Sequence, residues 1–128
     1  FEGVDETIAM SSMYAANHLG VRVVAALTET GKTAMWMSRM SSNISIFAMS
    51  DNVQTLRKVT LYRGVYPCGI EKSNANDWSQ VNGKVIDTLI KNEVVKDGDL
   101  VILTKGMYKD ESGGTNMMKI LRVGDTNY

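Results

Sequence analysis

The stretch that decides the fold runs Val21-Arg22-Val23-Val24-Ala25-Ala26-Leu27-Thr28-Glu29-Thr30-Gly31-Lys32-Thr33. Its first part, as far as Leu27, is almost wholly apolar and rich in β-branched residues, which is typical of a strand covered on both faces. The residues after Thr33 carry apolar side chains at helical spacing, and Thr30 or Thr33 is a candidate N-cap. The stretch therefore predicts a buried strand that leads directly into a helix.

The junction between this strand and this helix has the composition of an anion site. Hydroxyls, Gly31 and Lys32 lie where a helix presents unpaired N–H groups and the positive end of its dipole, an arrangement that favours phosphate. Read from Ala26, the segment fits a relaxed phosphate-loop pattern, A-x-x-x-x-G-K-T, with alanine in place of the first glycine. An ordinary capped turn with a solvated Lys32 explains the same residues. This stretch alone leaves both interpretations open.

The overall composition predicts one α/β domain over residues 1–128. Fourteen basic residues balance fourteen acidic ones, so no global field favours nucleic acid or an anionic membrane. The single cysteine, Cys68, excludes an internal disulfide and fits a reducing cytoplasm. We find no signal peptide and no apolar run of membrane length. Because the chain begins at Phe1, we expect it to be a piece of a longer protein.

Strand and helix patterns alternate along the chain. Helices are predicted for Asp5–Leu19, from Thr33 to Met40, around Val53, Leu56, Val59 and Tyr62, and from Trp78 or Ser79 onward. Strands are predicted for Val21–Leu27, Ile44–Met49, Val65–Ile70, Leu100–Thr104 and Met118–Val123, the last after a polar loop, Lys105 to Thr115. Right-handed crossovers then give a three-layer α/β/α fold with a five-stranded, mostly parallel sheet whose last strand is antiparallel.

Finer features of these elements are also predicted. Asp5 or Thr7 is expected to cap the first helix and Asp51 or Ser50 the third. Pro67 indicates that the third strand lies near an edge. The apolar face of the fourth helix is predicted to contain Val81, Val85, Ile86, Leu89 and Ile90. Its solvated face is predicted to contain Asn82, Lys84, Asp87, Lys91 and Asn92.

The sequence resembles the C-terminal domain of pyruvate kinase along nearly its whole length. The blocks that carry this resemblance are Glu6-Thr7-Ile8-Ala9-Met10 with Tyr14-Ala15-Ala16-Asn17, Ala26 to Thr33 with Ser38-Arg39-Met40-Ser41-Ser42, Leu61-Tyr62-Arg63-Gly64-Val65-Tyr66-Pro67, and Gly98 to Thr104 with Gly113-Gly114-Thr115-Asn116. Their combination is specific, whereas any one block is not. The sequence from Ser38 to Met49 is most similar to that of bacterial family members activated by nucleoside or sugar monophosphates.

The resemblance implies a parent enzyme of glycolysis that transfers a phosphoryl group from phosphoenolpyruvate to ADP, using Mg²⁺ or Mn²⁺ and K⁺. That chemistry belongs to a barrel and a capping domain absent from this chain. We therefore expect no catalytic residue, cofactor or metal ligand here, and no activity from the chain alone. The C-terminal domain of the family instead holds an allosteric effector pocket and part of a homotetramer interface, which we expect to use the first helix and Ile120-Leu121.

The resemblance also assigns effector residues. The effector phosphate is expected on Thr28, Glu29, Thr30, Gly31, Lys32 and Thr33, together with the backbone N–H groups after Gly31. Loss of the Lys32 ammonium or the Thr33 hydroxyl should weaken effector binding about tenfold or more, with little harm to folding. The loop before the last strand is expected to form a second wall, with Lys105, Ser112, Gly113 and Gly114.

A monophosphate (AMP, ribose 5-phosphate or glucose 6-phosphate) is the expected effector. The arginine that fructose 1,6-bisphosphate-responsive relatives carry beyond Trp78 is absent. Asp110 and Glu111 would oppose a second dianion, although Lys105 and Lys109 soften that effect.

Two other functions stay open from sequence. A small P-loop nucleotide triphosphatase would use Ile44–Met49 followed by Asp51 as its metal-binding strand. A purely structural assembly domain would leave the effector pocket empty. Magnesium-dependent ATP binding distinguishes the first alternative, and an effector titration distinguishes the second.

Overall fold

Helices and strands alternate, apart from two successive strands at the end, along the residues that the computed structural model describes, which are 3–40, 42–71, 78–106 and 114–128. The helices are α1 (Val4–Leu19), α2 (Lys32–Ser38), α3 (Val53–Val59) and α4 (Trp78–Lys91). The strands are β1 (Val23–Leu27), β2 (Ser45–Ser50), β3 (Val65–Gly69), β4 (Leu100–Lys105) and β5 (Met117–Arg122). The predicted order of elements is confirmed.

The strands form one sheet in the order β3-β2-β1-β4-β5. Every neighbouring pair is parallel except β4 and β5, which run antiparallel from Leu100 opposite Arg122 to Lys105 opposite Met117. β1 lies in the centre and is buried from Val23 to Ala26, as its apolar sequence predicts. β3 is an edge strand, which confirms the expectation drawn from Pro67.

Each face of the sheet has its own hydrophobic core. Val24 and Ala26 point to the core shared with α1, α2 and α3. Val23 and Ala25 alternate with them and point to the core shared with α4. This period of two, which places successive side chains on opposite faces, produces the three predicted layers.

The helix caps differ from the predicted ones. α1 begins after Gly3, and α2 begins after Gly31, in both cases without a side-chain cap hydrogen bond. α3 is capped by Asn52, whose Oδ1 accepts from the backbone N–H of Gln54 (2.9 Å) and of Thr55 (3.3 Å). The predicted caps were therefore wrong, namely Asp5 or Thr7 for α1, Thr30 or Thr33 for α2, and Asp51 or Ser50 for α3. Local spacing identified the turn but not the cap residue, although Asp5 Oδ1 and Thr30 Oγ1 each accept from one first-turn N–H group, those of Glu6 and Lys32.

The buried face of α4 also differs from its prediction. Asn82 is 1% exposed, whereas Ile90 is 42% exposed. The buried face consists of Asn82, Val85, Ile86 and Leu89, which follow the helical spacing i, i+3, i+4 and i+7. Asn82 was assigned to the solvated face because it is polar, although its position fits the buried one.

Candidate functional site

The loop from Thr28 to Thr33 connects the carboxyl end of β1 with the start of α2. Thr28 Oγ1 accepts a 2.8 Å hydrogen bond from the backbone N–H of Gly31, and Thr30 Oγ1 accepts one of 3.3 Å from the N–H of Lys32. These two N–H groups are thus used within the loop. Because a hydroxyl that accepts still has its own proton, Thr28 and Thr30 can each donate to a ligand oxygen.

Gly31 fits the loop against α3. It adopts a left-handed conformation with φ of 85°, and a Cβ at this position would lie 2.8 Å from Val59 Cγ1. The Thr55 hydroxyl, also on α3, donates to the carbonyl of Glu29 at 2.5 Å. The loop therefore keeps its shape through a glycine-dependent turn and a fixed contact with the neighbouring helix.

Lys32 is the cation of the loop. Its side chain is 54% exposed, and Nζ lies 3.8 Å from Oδ2 of Asp5 at the start of α1. An exposed ion pair of this length contributes little to stability. The Lys32 ammonium is therefore available to an incoming anion. That anion would replace the Asp5 carboxylate as its partner.

A buried hydrogen bond joins this loop to the segment that precedes β5. Thr33 Oγ1 and Thr115 Oγ1 lie 2.6 Å apart, and both residues are at most 5% exposed. Thr33 is thus committed to a structural contact, so its loss should also lower the stability of the fold. The bond connects two of the sequence blocks that carry the family resemblance.

The two described ends of the second predicted loop lie against each other. The N–H of Asn116 donates to the carbonyl of Lys105 at 3.2 Å, and a Cβ on Gly106 would collide with the carbonyl oxygen of Gly114. Gly114 is therefore held close to the end of β4. Ser112 and Gly113 lie outside the described residues, as do Lys109, Asp110 and Glu111.

Lys105 is buried at the end of β4, one residue beyond the predicted strand. Its Nζ donates to Oδ1 of Asn82 on α4 at 2.5 Å. Burial, and secondarily the positive charge of Lys119, lower the pKa of Lys105 to about 8. This contact lies on the α4 side of the sheet, whereas Thr33 belongs to α2 on the other side.

The structure thus brings Thr28 to Thr33 together with Gly114 and Thr115 beyond the carboxyl ends of β1 and β4. Lys105, in contrast, is hydrogen-bonded to Asn82 on α4. Sequence reasoning missed Thr115 and Asn82 as partners. The burial of Asn82 could have been predicted from its helical spacing with Val85, Ile86 and Leu89. No signal in the sequence indicates that Thr33 and Thr115 meet.

Two further properties of the described residues bear on other functions. Within the described ranges, no group of three or more His, Cys, Asp or Glu side chains could hold a metal ion. No helix in the same ranges is both long and apolar enough to cross a membrane.

Comparison with known proteins identifies the family. The profile of the family described as "Pyruvate kinase, alpha/beta domain" matches residues 6–121. Pyruvate kinase II of Salmonella typhimurium is 44% identical over 96% of this chain, and the chain covers 25% of that protein. Pyruvate kinase of Buchnera aphidicola (subsp. Baizongia pistaciae) is 42% identical over 96% of the chain, which covers 26% of it. Pyruvate kinase of Staphylococcus saprophyticus is 34% identical over 92% of the chain, with 20% of that protein covered.

The chain spans about a quarter of the length of the curated relatives it matches. The family match confirms the resemblance found in the sequence blocks, and it covers both segments of the candidate site described above. The chain therefore belongs to the pyruvate kinase family, as its C-terminal alpha/beta domain.

Proposed function

We propose that this chain is the regulatory domain of a cytoplasmic pyruvate kinase. In this proposal the loop from Thr28 to Thr33 binds a phosphorylated effector, and the domain contributes to a homotetramer. The remainder of the enzyme would transfer the phosphoryl group of phosphoenolpyruvate to ADP with Mg²⁺ or Mn²⁺ and K⁺. The chain alone, as a single domain over residues 1–128, would be inactive.

The hydrogen bond between Thr33 and Thr115 is the observation that supports this proposal most. The two hydroxyls, 2.6 Å apart, join the loop after β1 to the segment before β5. These are the two segments expected to form the effector pocket. The bond holds these two segments side by side, as a pocket formed by both of them would require.

The loop offers chemistry suited to one phosphate group. The Thr28 and Thr30 hydroxyl oxygens accept from backbone N–H groups, so the proton of each hydroxyl can be donated to a phosphate oxygen. The Lys32 ammonium adds a positive charge. Each charge-assisted hydrogen bond is worth about 1.5–3 kcal/mol, so three of them support an affinity in roughly the millimolar to micromolar range.

The same geometry favours a monophosphate over a bisphosphate. Lys32 is the exposed cation of this loop, whereas Lys105 is 1% exposed and held by Asn82. A second phosphate would therefore find little cationic support from Lys105. AMP, ribose 5-phosphate and glucose 6-phosphate are the effectors we propose.

A thermal-shift panel tests the proposal against its alternatives. The 128-residue chain is melted with each monophosphate, with fructose 1,6-bisphosphate, and with ATP and Mg²⁺. A ligand at one hundred times its dissociation constant stabilises the fold by about 2.7 kcal/mol, which is an easily measured shift. We expect a shift with at least one monophosphate. An unchanged melting temperature with every ligand would favour a purely structural assembly domain. A rise that requires ATP together with Mg²⁺ would favour a P-loop nucleotide triphosphatase.

A further inference from the structure

A cavity of about 440 Å³ opens at the amino-terminal ends of the parallel strands. Arg22 lies just before β1, Leu100 begins β4 and Arg122 ends β5, and all three line the cavity. The loop from Thr28 to Thr33 follows the other end of β1. At about 3.3 Å per residue, the two sites are about 20 Å apart along the strand. The cavity is therefore separate from the effector loop.

Two guanidinium groups line this cavity with most of their donors unused. Arg22 Nε donates to the carbonyl of Val94 at 3.2 Å, and Arg122 Nη1 donates to the carbonyl of Gly98 at 2.9 Å. Within the described part of the chain, neither arginine forms an ion pair with a carboxylate. Each side chain is thus anchored through one N–H while its remaining donors stay available.

The other lining residues set the character of a ligand. Asp99 is the acidic side chain among them, and its Oδ2 accepts from the backbone N–H of Lys96 at 3.0 Å. Two arginines against one aspartate leave a formal charge of +1. Ile44 and Leu100 add apolar, partly buried surface, and Asn43 adds an exposed amide. The cavity thus combines a positive charge, planar donor groups and some apolar surface.

We propose that this cavity binds a small organic anion whose phosphate or carboxylate group is held by Arg22 and Arg122. Guanidinium groups pair two parallel N–H donors with two oxygens of such a group, and they stay protonated at all accessible pH values. The apolar side chains of Ile44 and Leu100 contact the organic body of the ligand. The alternative is that the arginines only fix the turn between α4 and β4 through the Val94 and Gly98 carbonyls.

Titration of the ¹⁵N-labelled 128-residue chain, followed by NMR, tests the proposal. Phenyl phosphate, benzoate and inorganic phosphate serve as probes, so that the phosphate and carboxylate groups are distinguished. We expect phenyl phosphate or benzoate to shift the Nε–H signals of Arg22 and Arg122 and the amide signal of Leu100. Inorganic phosphate, which lacks an apolar body, should bind at least threefold more weakly than phenyl phosphate.

Substitutions make the test specific. Arg22→Gln and Arg122→Gln together should raise the dissociation constant for this cavity at least tenfold. Arg57→Gln, at an exposed position on α3, should change it less than twofold. Lys32→Ala should leave these shifts unchanged, because it alters the effector loop only. Equal weakening by Arg57→Gln, or shifts confined to residues 28–33, would overturn the proposal.

A measurement on the unsubstituted chain covers the case in which the arginine variants fail to fold. Phenylglyoxal modifies accessible arginines, and mass spectrometry reads the rate at each one. Whichever organic probe binds should slow modification of Arg22 and Arg122 at least fivefold, with Arg57 and Arg63 unaffected. Uniform protection of all four arginines, or no protection, would contradict the proposal.

Discussion

At the residue scale, Gly31 shows how a single position determines the shape of the candidate site. Its φ of 85° is costly for any residue with a Cβ, and the added carbon would lie 2.8 Å from Val59. We expect Gly31→Ala to lower the free energy of unfolding by about 1–3 kcal/mol. Urea denaturation measures the change.

Gly83 provides the matched control for this substitution. It lies inside α4, and a Cβ there would meet no heavy atom within 4 Å. Gly83→Ala should therefore stabilise the fold by up to about 1 kcal/mol through helix propensity. Equal effects of the two substitutions would mean that the turn at Gly31 does not need a glycine.

Lys105 makes the free energy of unfolding depend on pH. Its pKa falls from 10.5 to about 8, first because of burial and second because of Lys119. Between these values the unfolded chain binds more protons than the folded one, so the free energy of unfolding rises with pH. Below about pH 8 both states carry the proton and this gain is absent.

The Lys105→Met variant should lack this rise between pH 8 and 10.5. It should also be less stable throughout, since Asn82 loses its donor. Urea midpoints across the pH range measure both effects, and Lys91→Met, at an exposed position on α4, is the control. Parallel pH profiles for Lys105→Met and the unsubstituted chain would show that Lys105 is not titrating in this window.

At the element scale, α3 is the clearest case of a helix whose start the sequence left ambiguous. Asn52 accepts from two backbone N–H groups, and Asp51 does not cap the helix. Asn52→Ala should destabilise the fold by about 1 kcal/mol, whereas Asp51→Ala should change it by less than about 0.5 kcal/mol. Chemical denaturation of both variants decides between the two residues, and a larger effect at Asp51 would reverse the assignment.

The elements themselves followed from the sequence, because hydrophobic periodicity records burial directly. The apolar run before Thr28 predicted a strand covered on both faces, which is β1, and Pro67 predicted that β3 lies near an edge. The caps and the partners of Thr33 and Lys105 did not follow, because they depend on contacts between residues distant in sequence. Thr33 of α2 meets Thr115 just before β5, and Lys105 of β4 meets Asn82 of α4, only once the sheet and its helices have assembled.

At the scale of the whole molecule, apolar side chains remain exposed on α1 and β5. Tyr14 is 70% exposed, Val4 64% and Ile120 46%, and β5 lies at the edge of the sheet. A free sheet edge with apolar neighbours is a template for pairing with a second copy. We therefore expect the proposed self-association to use this surface.

Ile120→Lys should raise the dissociation constant for self-association at least tenfold, because it places a charge in the contact. Leu61→Lys is the control, since Leu61 is 82% exposed just beyond α3. Sedimentation at micromolar concentration measures both. A larger effect at Leu61 would place the contact elsewhere, and a strict monomer would assign assembly to the rest of the enzyme.

Calorimetric titration of the chain with AMP, ribose 5-phosphate, glucose 6-phosphate and fructose 1,6-bisphosphate tests the central claim most directly. We predict that a monophosphate binds one to one, and that Lys32→Ala with Thr30→Ala weakens it about tenfold or more, since each lost contact is worth about 1.5–3 kcal/mol. Both side chains are exposed, so the fold should be little affected. Unchanged affinity in this double variant, or a bisphosphate that binds tenfold more tightly than every monophosphate, would contradict the account.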